Sequence, residues 1–137
     1  MKKWRLILII GVLLVPALIY ALREYNRTND DTADLKASIE IDALSLLKDY
    51  ETDEGYANKE YNGKVISVTG RIIKIEDIGD TKKVILGDGI SMNGVICEFQ
   101  NSENEKAKGL VPTQEVKIKG ICTGILLDVV LIRCVLE

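Results

Sequence analysis

From Leu6 to Leu22 the chain carries no charged residue, a run of 17 that Trp4 and the aliphatic stem of Arg5 extend. An α-helix needs roughly 20 apolar residues to cross a bilayer, so residues 1–22 are expected to form a membrane anchor or signal-anchor, with Pro16 a local strain that membrane helices tolerate. The pattern then turns polar: "REYNRTNDD", Arg23 to Asp31, has no apolar periodicity and predicts a linker over 23–31. Beyond it, Leu35, Ile39, Ala43, Leu46, Leu47 and Tyr50 recur at helical spacing. That stripe predicts a helical segment over 32–62 packing on the C-terminal half of the chain, with Asp31 as N-cap and Asp34 in the first turn. Gly55 interrupts the pattern, so one flawed helix and two helices with a bend both fit, and Asn62-Gly63 supplies the stop.

After Gly63 the period changes to two. "KVISVTGRIIKI" places Ile66 and Val68 on one face and Ser67 and Thr69 on the other, and a bulge near Gly70 and Arg71 would return Ile73 and Ile75 to the inner face while Lys74 points out. "TKKVIL" comes next with Val84 and Leu86 inward, then "GVICEF" with Val95, Cys97 and Phe99 inward. The polar stretch "QNSENEKAKGLVPTQ" has room for one helical turn, and "EVKIKGIC" with "VVLIRCVLE" closes as a hairpin whose Arg133 faces out. Five strands with an insertion between the third and fourth match the OB-fold, a small Greek-key barrel, over residues 63–137. The expected fold class is therefore an all-β core, a five-stranded OB-fold barrel, with a preceding α-helix and an N-terminal transmembrane helix; a five- or six-strand sandwich is the alternative.

Particular residues sharpen this. Tyr50, Ala57, Tyr61 with Gly63 and Lys64, Val68 with Gly70, Cys97 with Phe99, Gly120 with Cys122 and Gly124, and Cys134 together resemble the bacterial tRNA-anticodon-like OB-fold family over residues 35–137. Its members are small exported or lipid-anchored proteins. The resemblance implies a fold related to anticodon-binding domains and brings no established activity. Many members carry a lipid-acceptor cysteine near the start, whereas here no cysteine precedes Cys97, so lipidation is not carried over.

Charge sets the orientation. Lys2, Lys3 and Arg5 precede the apolar run and a mixed set, Arg23, Glu24 and Arg27, comes after it, which places the N-terminus in the cytoplasm and the C-terminal domain outside it, in the periplasm, as a single-pass inner-membrane protein. A cleaved signal peptide is the alternative, but the small residues Ala17 and Ala21 have Val15 and Ile19 two positions before them and do not form an A-x-A site. Three of the 18 basic residues and none of the 21 acidic ones precede Arg23, leaving a net charge of −6 beyond the run. An acidic domain is disfavoured as a nucleic-acid binder, which draws its affinity from neutralising phosphates.

The chain has no histidine and three cysteines. Alternation puts Cys97, Cys122 and Cys134 on the inner face with Phe99, Ile118 and Ile132, where a cysteine usually serves as a small hydrophobe. Should an exported domain form a bridge, the strand order favours Cys97 with Cys134, since Cys97 and Cys122 would lie two strand spacings apart and a hairpin turn near Leu126 sets Cys122 opposite Val130. Three thiols without C-x-x-C spacing or imidazole give no expected metal site or cofactor, and no base to activate a nucleophile. "ILGDGISMNG" comes after a strand without opening a helix, so it reads as a loop and not as a phosphate cradle. Asn26-Arg27-Thr28 is a bare glycosylation triplet.

What remains is the surface OB-folds use for binding: the second and third strands and the loops joining the first to the second and the fourth to the fifth. Here it comprises Arg71, Lys74, Lys83, Ile85, Ile96 and Glu98, with Asp77, Asp80 and Ile125, Leu126, Leu127 and Asp128 in the loops. No aromatic platform for stacking bases falls on it. The function expected is a non-catalytic, membrane-tethered extracytoplasmic binding module whose partner is a protein or an envelope glycan. A single-strand nucleic-acid binder, by fold analogy, and a thiol redox protein are the alternatives.

Overall fold

The structure, a computed structural model, describes the backbone of residues 2–27 and 31–137 and the side chains of residues 11–23 and 31–137. The chain divides into two compact units, Met1–Asp31 and Thr32–Glu137.

The first unit is one helix, α1 (Lys2–Arg27), with Pro16 inside it. Residues 23–27, expected as linker, continue this helix, and residues 28–30 lie outside the described residues. Four successive positions, Val12, Leu13, Leu14 and Val15, are each more than half exposed. At 100° per residue these four cover every side of the helix. No helix among the described residues is long and apolar enough to cross a membrane. The side chains of residues 1–10, which the expected anchor includes, lie outside the described residues.

The second unit runs β1 (Ile39–Asp42), α2 (Ala43–Thr52), α3 (Glu54–Tyr61), β2 (Val65–Ile78), β3 (Thr81–Leu86), β4 (Val95–Phe99), a 3-10 turn (Asn101–Glu103), α4 (Asn104–Ala107), β5 (Glu115–Ile125) and β6 (Val129–Leu136). Strands β2, β3, β4, β6 and β5 are hydrogen-bonded in that order, and β5 pairs back onto β2. The result is a closed five-stranded barrel preceded by helices, which fits the OB-fold. All its pairings are antiparallel except β4 with β6. Its interior is aliphatic: Ile66, Val68, Ile72, Val84, Leu86, Ile118 and Leu131 are fully buried.

Four local expectations need correction. The helical segment does not begin at Asp31. Ile39 to Asp42 form β1, parallel to β2 in the register Ile39↔Ile66 to Asp42↔Thr69, and the N-cap is Asp42, whose carboxylate accepts from Leu44 N at 2.9 Å and Ser45 N at 3.2 Å. Of the two alternatives the structure shows two helices, with the break at Asp53 and not at Gly55: Asp53 caps α3 by accepting from Tyr56 N at 2.9 Å, and Gly55 sits within α3.

In β2 the register against β3 shifts between Ile72 and Lys74, past Gly70, so Ile72 is the buried residue while Ile73 and Ile75 are half-buried. Gly70 serves close packing instead: a Cβ there would come within 2.8 Å of the Ala43 Cβ, so its bareness lets α2 settle on the barrel. In β6 a second irregularity, with Arg133 at φ +53°, turns Leu131 and Cys134 inward and leaves Ile132 half-buried; Cys122 accordingly faces Leu131 and not Val130.

Candidate binding surface

Register brings the expected strand residues together on the outside of the barrel. Lys83 lies across from Glu98, and the next rung sets Ile85 across from Ile96, which in turn faces Val130 on β6. Lys83 Nζ and Glu98 form an ion pair at 2.5 Å, and Lys74 Nζ pairs with Glu76 at 2.5 Å. The face therefore offers a half-buried aliphatic rung, Ile85–Ile96–Val130, beside cations already matched by carboxylates on the same sheet.

The aromatic residues of the second unit lie elsewhere. Tyr50, Tyr61 and Phe99 are buried, and Tyr56 is exposed on α3.

The other expected residues are spread around the barrel. Arg71 is exposed in a separate cleft of about 290 Å³ with Asp42, Gly70, Gly87, Asp88 and Glu115. Asp77 pairs with Lys82, and the Asp80 carbonyl accepts from Asn104 Nδ2; both line a shallow cleft of about 390 Å³ beside α4. Ile125 is half-buried and pairs with Val129, and the tip beyond it projects Leu126 and Leu127 into solvent. Asp128 turns back, accepting from Gly94 N at 2.7 Å.

That bond marks what sequence reasoning missed. It joins the β5–β6 tip to the β3–β4 loop, where Ile90 and Met92 are also exposed. The "ILGDGISMNG" pattern carried these two residues in plain view, but nothing local says which other loop a loop will meet.

The cysteines are free thiols, all buried to 0% exposure. Cys97 and Cys122 each face Leu131 from opposite sides, which confirms that they stand two strands apart. Cys134 is in hydrogen-bond contact with Cys97, the partner expected for any bridge, and burial first and that contact second hold its thiol well above the ordinary cysteine value. Cys122 is hydrogen-bonded to the Tyr50 hydroxyl at 3.5 Å. Burial, followed by this bond, pushes Tyr50 up, and burial together with the hydrogen bond from its hydroxyl to Asp49 (2.7 Å) does the same for Tyr61. Among the described residues no group of three or more His, Cys, Asp or Glu is placed to hold a metal ion.

With this geometry, comparison with known proteins is informative about the fold. The tRNA_anti-like family model matches residues 1–136. The chain belongs to the tRNA_anti-like family. A solved lipoprotein from Klebsiella pneumoniae subsp. pneumoniae, named as a candidate nucleic-acid binder, is similar in structure, with a TM-score of 0.58, 16% identity, 73% of this chain covered and 92% of that one. Less similar are a chain of the S. pombe Stn1–Ten1 complex (TM-score 0.44, 21% identity, 53% of this chain and 56% of that one) and an OBody bound to hen egg-white lysozyme (TM-score 0.45, 18% identity, 56% and 84%). No curated protein matches in sequence. In this tRNA_anti-like chain most of the family-type residues serve packing or turns. Ala57 is at 0% exposure, Gly120 leaves room for the Cys134 sulfur that a Cβ would approach to 2.6 Å, and Gly63 and Gly124 take positive φ.

Proposed function

We propose that this tRNA_anti-like protein is a membrane-tethered, extracytoplasmic OB-fold binding module without catalytic activity, whose partner is a protein or an envelope glycan. The observation that carries the reading is the outer strand face. Its lysines are spent on Glu76 and Glu98, its centre is aliphatic, and the aromatic residues are turned into the core or lie on helices. Phosphate-backbone binding needs unmatched cations, and base stacking needs exposed rings, so this face suits neither. It suits a partner recognised by apolar contact with a polar rim.

The tether is supported by α1, which is apolar on every described side between Val12 and Leu22. A helix hydrophobic all round is at home in lipid or in the core of a large protein. The thiols have no imidazole beside them and are buried, which counts against nucleophilic attack and against exchange of the Cys97–Cys134 pair with outside thiols.

A reporter active only outside the cytoplasm, fused after Glu137, tests the tether, with strong activity in intact cells expected. An intact fusion that shows no activity refutes it. Titration of short single strands at low salt tests the binding class. A mobility shift that fades steeply with added salt would replace this reading with the nucleic-acid one.

A further inference from the structure

Two loops meet at one end of the barrel. Gly94 N donates to Asp128 Oδ1 at 2.7 Å, and Val129 N donates to the Gly94 carbonyl at 3.1 Å, so the β3–β4 loop and the β5–β6 tip share a fixed junction. The two joined loops carry four large apolar side chains that are almost wholly in water: Ile90 at 89%, Met92 at 100%, Leu126 at 93% and Leu127 at 80% exposure. Leu127 is adjacent to Asp128 in sequence and Met92 is two residues from Gly94, which keeps the Met92 Cα within about 7 Å of the junction. Single exposed aliphatics are ordinary on protein surfaces, but a group gathered from two loops is not.

The loops are held in shape. The Asp88 carboxylate accepts from Ile90 N at 2.9 Å, Ser91 N at 2.8 Å and the Ser91 hydroxyl at 3.0 Å, and these bonds keep it ionised below the usual carboxylate range. Pre-shaped loops lose little freedom when covered, which favours binding.

Charge decides among occupants. Residues 87–94 and 124–130 contain Asp88 and Asp128 and no lysine or arginine, and in the cleft beside Asp88 one cation, Arg71, stands among three carboxylates, Asp42, Asp88 and Glu115, so this end is acidic on balance. A second copy would set acid against acid, an anionic lipid surface or a nucleic acid would repel the same carboxylates, and a glycan has no aliphatic side chains to offer. We infer that this end of the barrel docks a protein surface that presents aliphatic side chains flanked by lysine or arginine.

The inference rests on the binding-module reading and narrows its partner to one class and one place. Its test uses the full chain in a non-ionic detergent, with two synthetic amphipathic helical peptides as probes, one of leucine and lysine and one of leucine and glutamate. The leucine–lysine peptide should bind and the leucine–glutamate peptide should not. The pairs Leu126→Ser/Leu127→Ser and Ile90→Ser/Met92→Ser should each weaken binding about tenfold or more, while leaving the melting temperature unchanged because the replaced side chains are in solvent. Asp88→Asn should make the remaining binding less sensitive to salt.

Equal binding of both peptides, or serine pairs that bind as tightly as the parent chain, would overturn the inference. So would self-association, or recruitment to phosphatidylcholine vesicles, that the serine pairs abolish, since either would name a different occupant. An extracytoplasmic reporter together with indifferent serine pairs would remove the docking site and leave the tethered module standing. A cytoplasmic reporter with sensitive pairs would do the reverse.

Discussion

Glycine positions in this barrel are decided by what lies above them. A methyl group at Gly70 would meet Ala43 Cβ at 2.8 Å, and one at Gly120 would meet Cys134 Sγ at 2.6 Å. Gly70→Ala should cost about 1–3 kcal/mol in urea unfolding, because the neighbour is a Cβ fixed to helix backbone and cannot turn aside. Gly120→Ala should cost a similar amount, and less in a Cys134→Ala background, where the obstructing sulfur is gone; a cost unchanged by that background would show that the sulfur is not the obstacle. Thr113 holds φ +74° on the surface, a conformation that roughly 1–2 kcal/mol disfavours in L-residues. Thr113→Gly should therefore raise the denaturation midpoint slightly, and a fall would contradict the strain.

Tyr50, Tyr61 and Cys134 are neutral when protonated and have raised folded-state pKa values. The stability they contribute is complete below the unfolded values, about 8.5 for cysteine and 10 for tyrosine, and is lost as pH rises toward the folded ones. Melting temperatures should thus hold steady near neutrality and decline from about pH 9 upward, with a shallower decline in Tyr50→Phe and Tyr61→Phe. The same burial predicts slow alkylation of all three thiols in the native protein and rapid reaction in urea. The cysteines drew attention in the sequence as candidate chemistry, and the family resemblance selected Tyr50 and Tyr61 along with them. Both signals report packing, because a motif of small, sulfur and aromatic residues looks alike whether it lines a site or a core.

Elements were legible where one period dominated. The alternation of β3 and β4 and the stripe through Leu46, Leu47 and Tyr50 lie where the pattern places them. β1 was hidden by an ambiguity of spacing: Ile39, Ile41 and Ala43 alternate as a strand does, yet Leu35, Ile39 and Ala43 also fall at the four-residue interval of a helix. What decides is a parallel partner, β2, that begins 26 residues after Ile39, and nothing local announces it. The two irregularities in β2 and β6 were displaced or missed for a related reason, since a bulge depends on the partner's register as much as on its own sequence. Hydrogen exchange should find the β1 amides that face β2, and Ser38 N, which donates to the Val65 carbonyl, protected along with the barrel, whereas a helix beginning at Asp31 would protect the amides of Lys36 and Ala37 as well.

At the scale of the molecule the barrel was readable from strand count and the position of the insertion, and the family from the residues that resemble its pattern. The binding surface was readable only in part. Ile85 and Ile96 share a rung as alternation requires, but the cancellation of Lys83 by Glu98 and the meeting of two loops at Gly94 are products of closure. Closure also leaves the sheet one strand paired on a single side, β1, which is four residues long and carries Glu40 and Asp42. Short, negatively charged margins discourage other chains from extending a sheet. Wherever such chains are concentrated and neighbours meet often, that margin works as a safeguard against unwanted polymer growth.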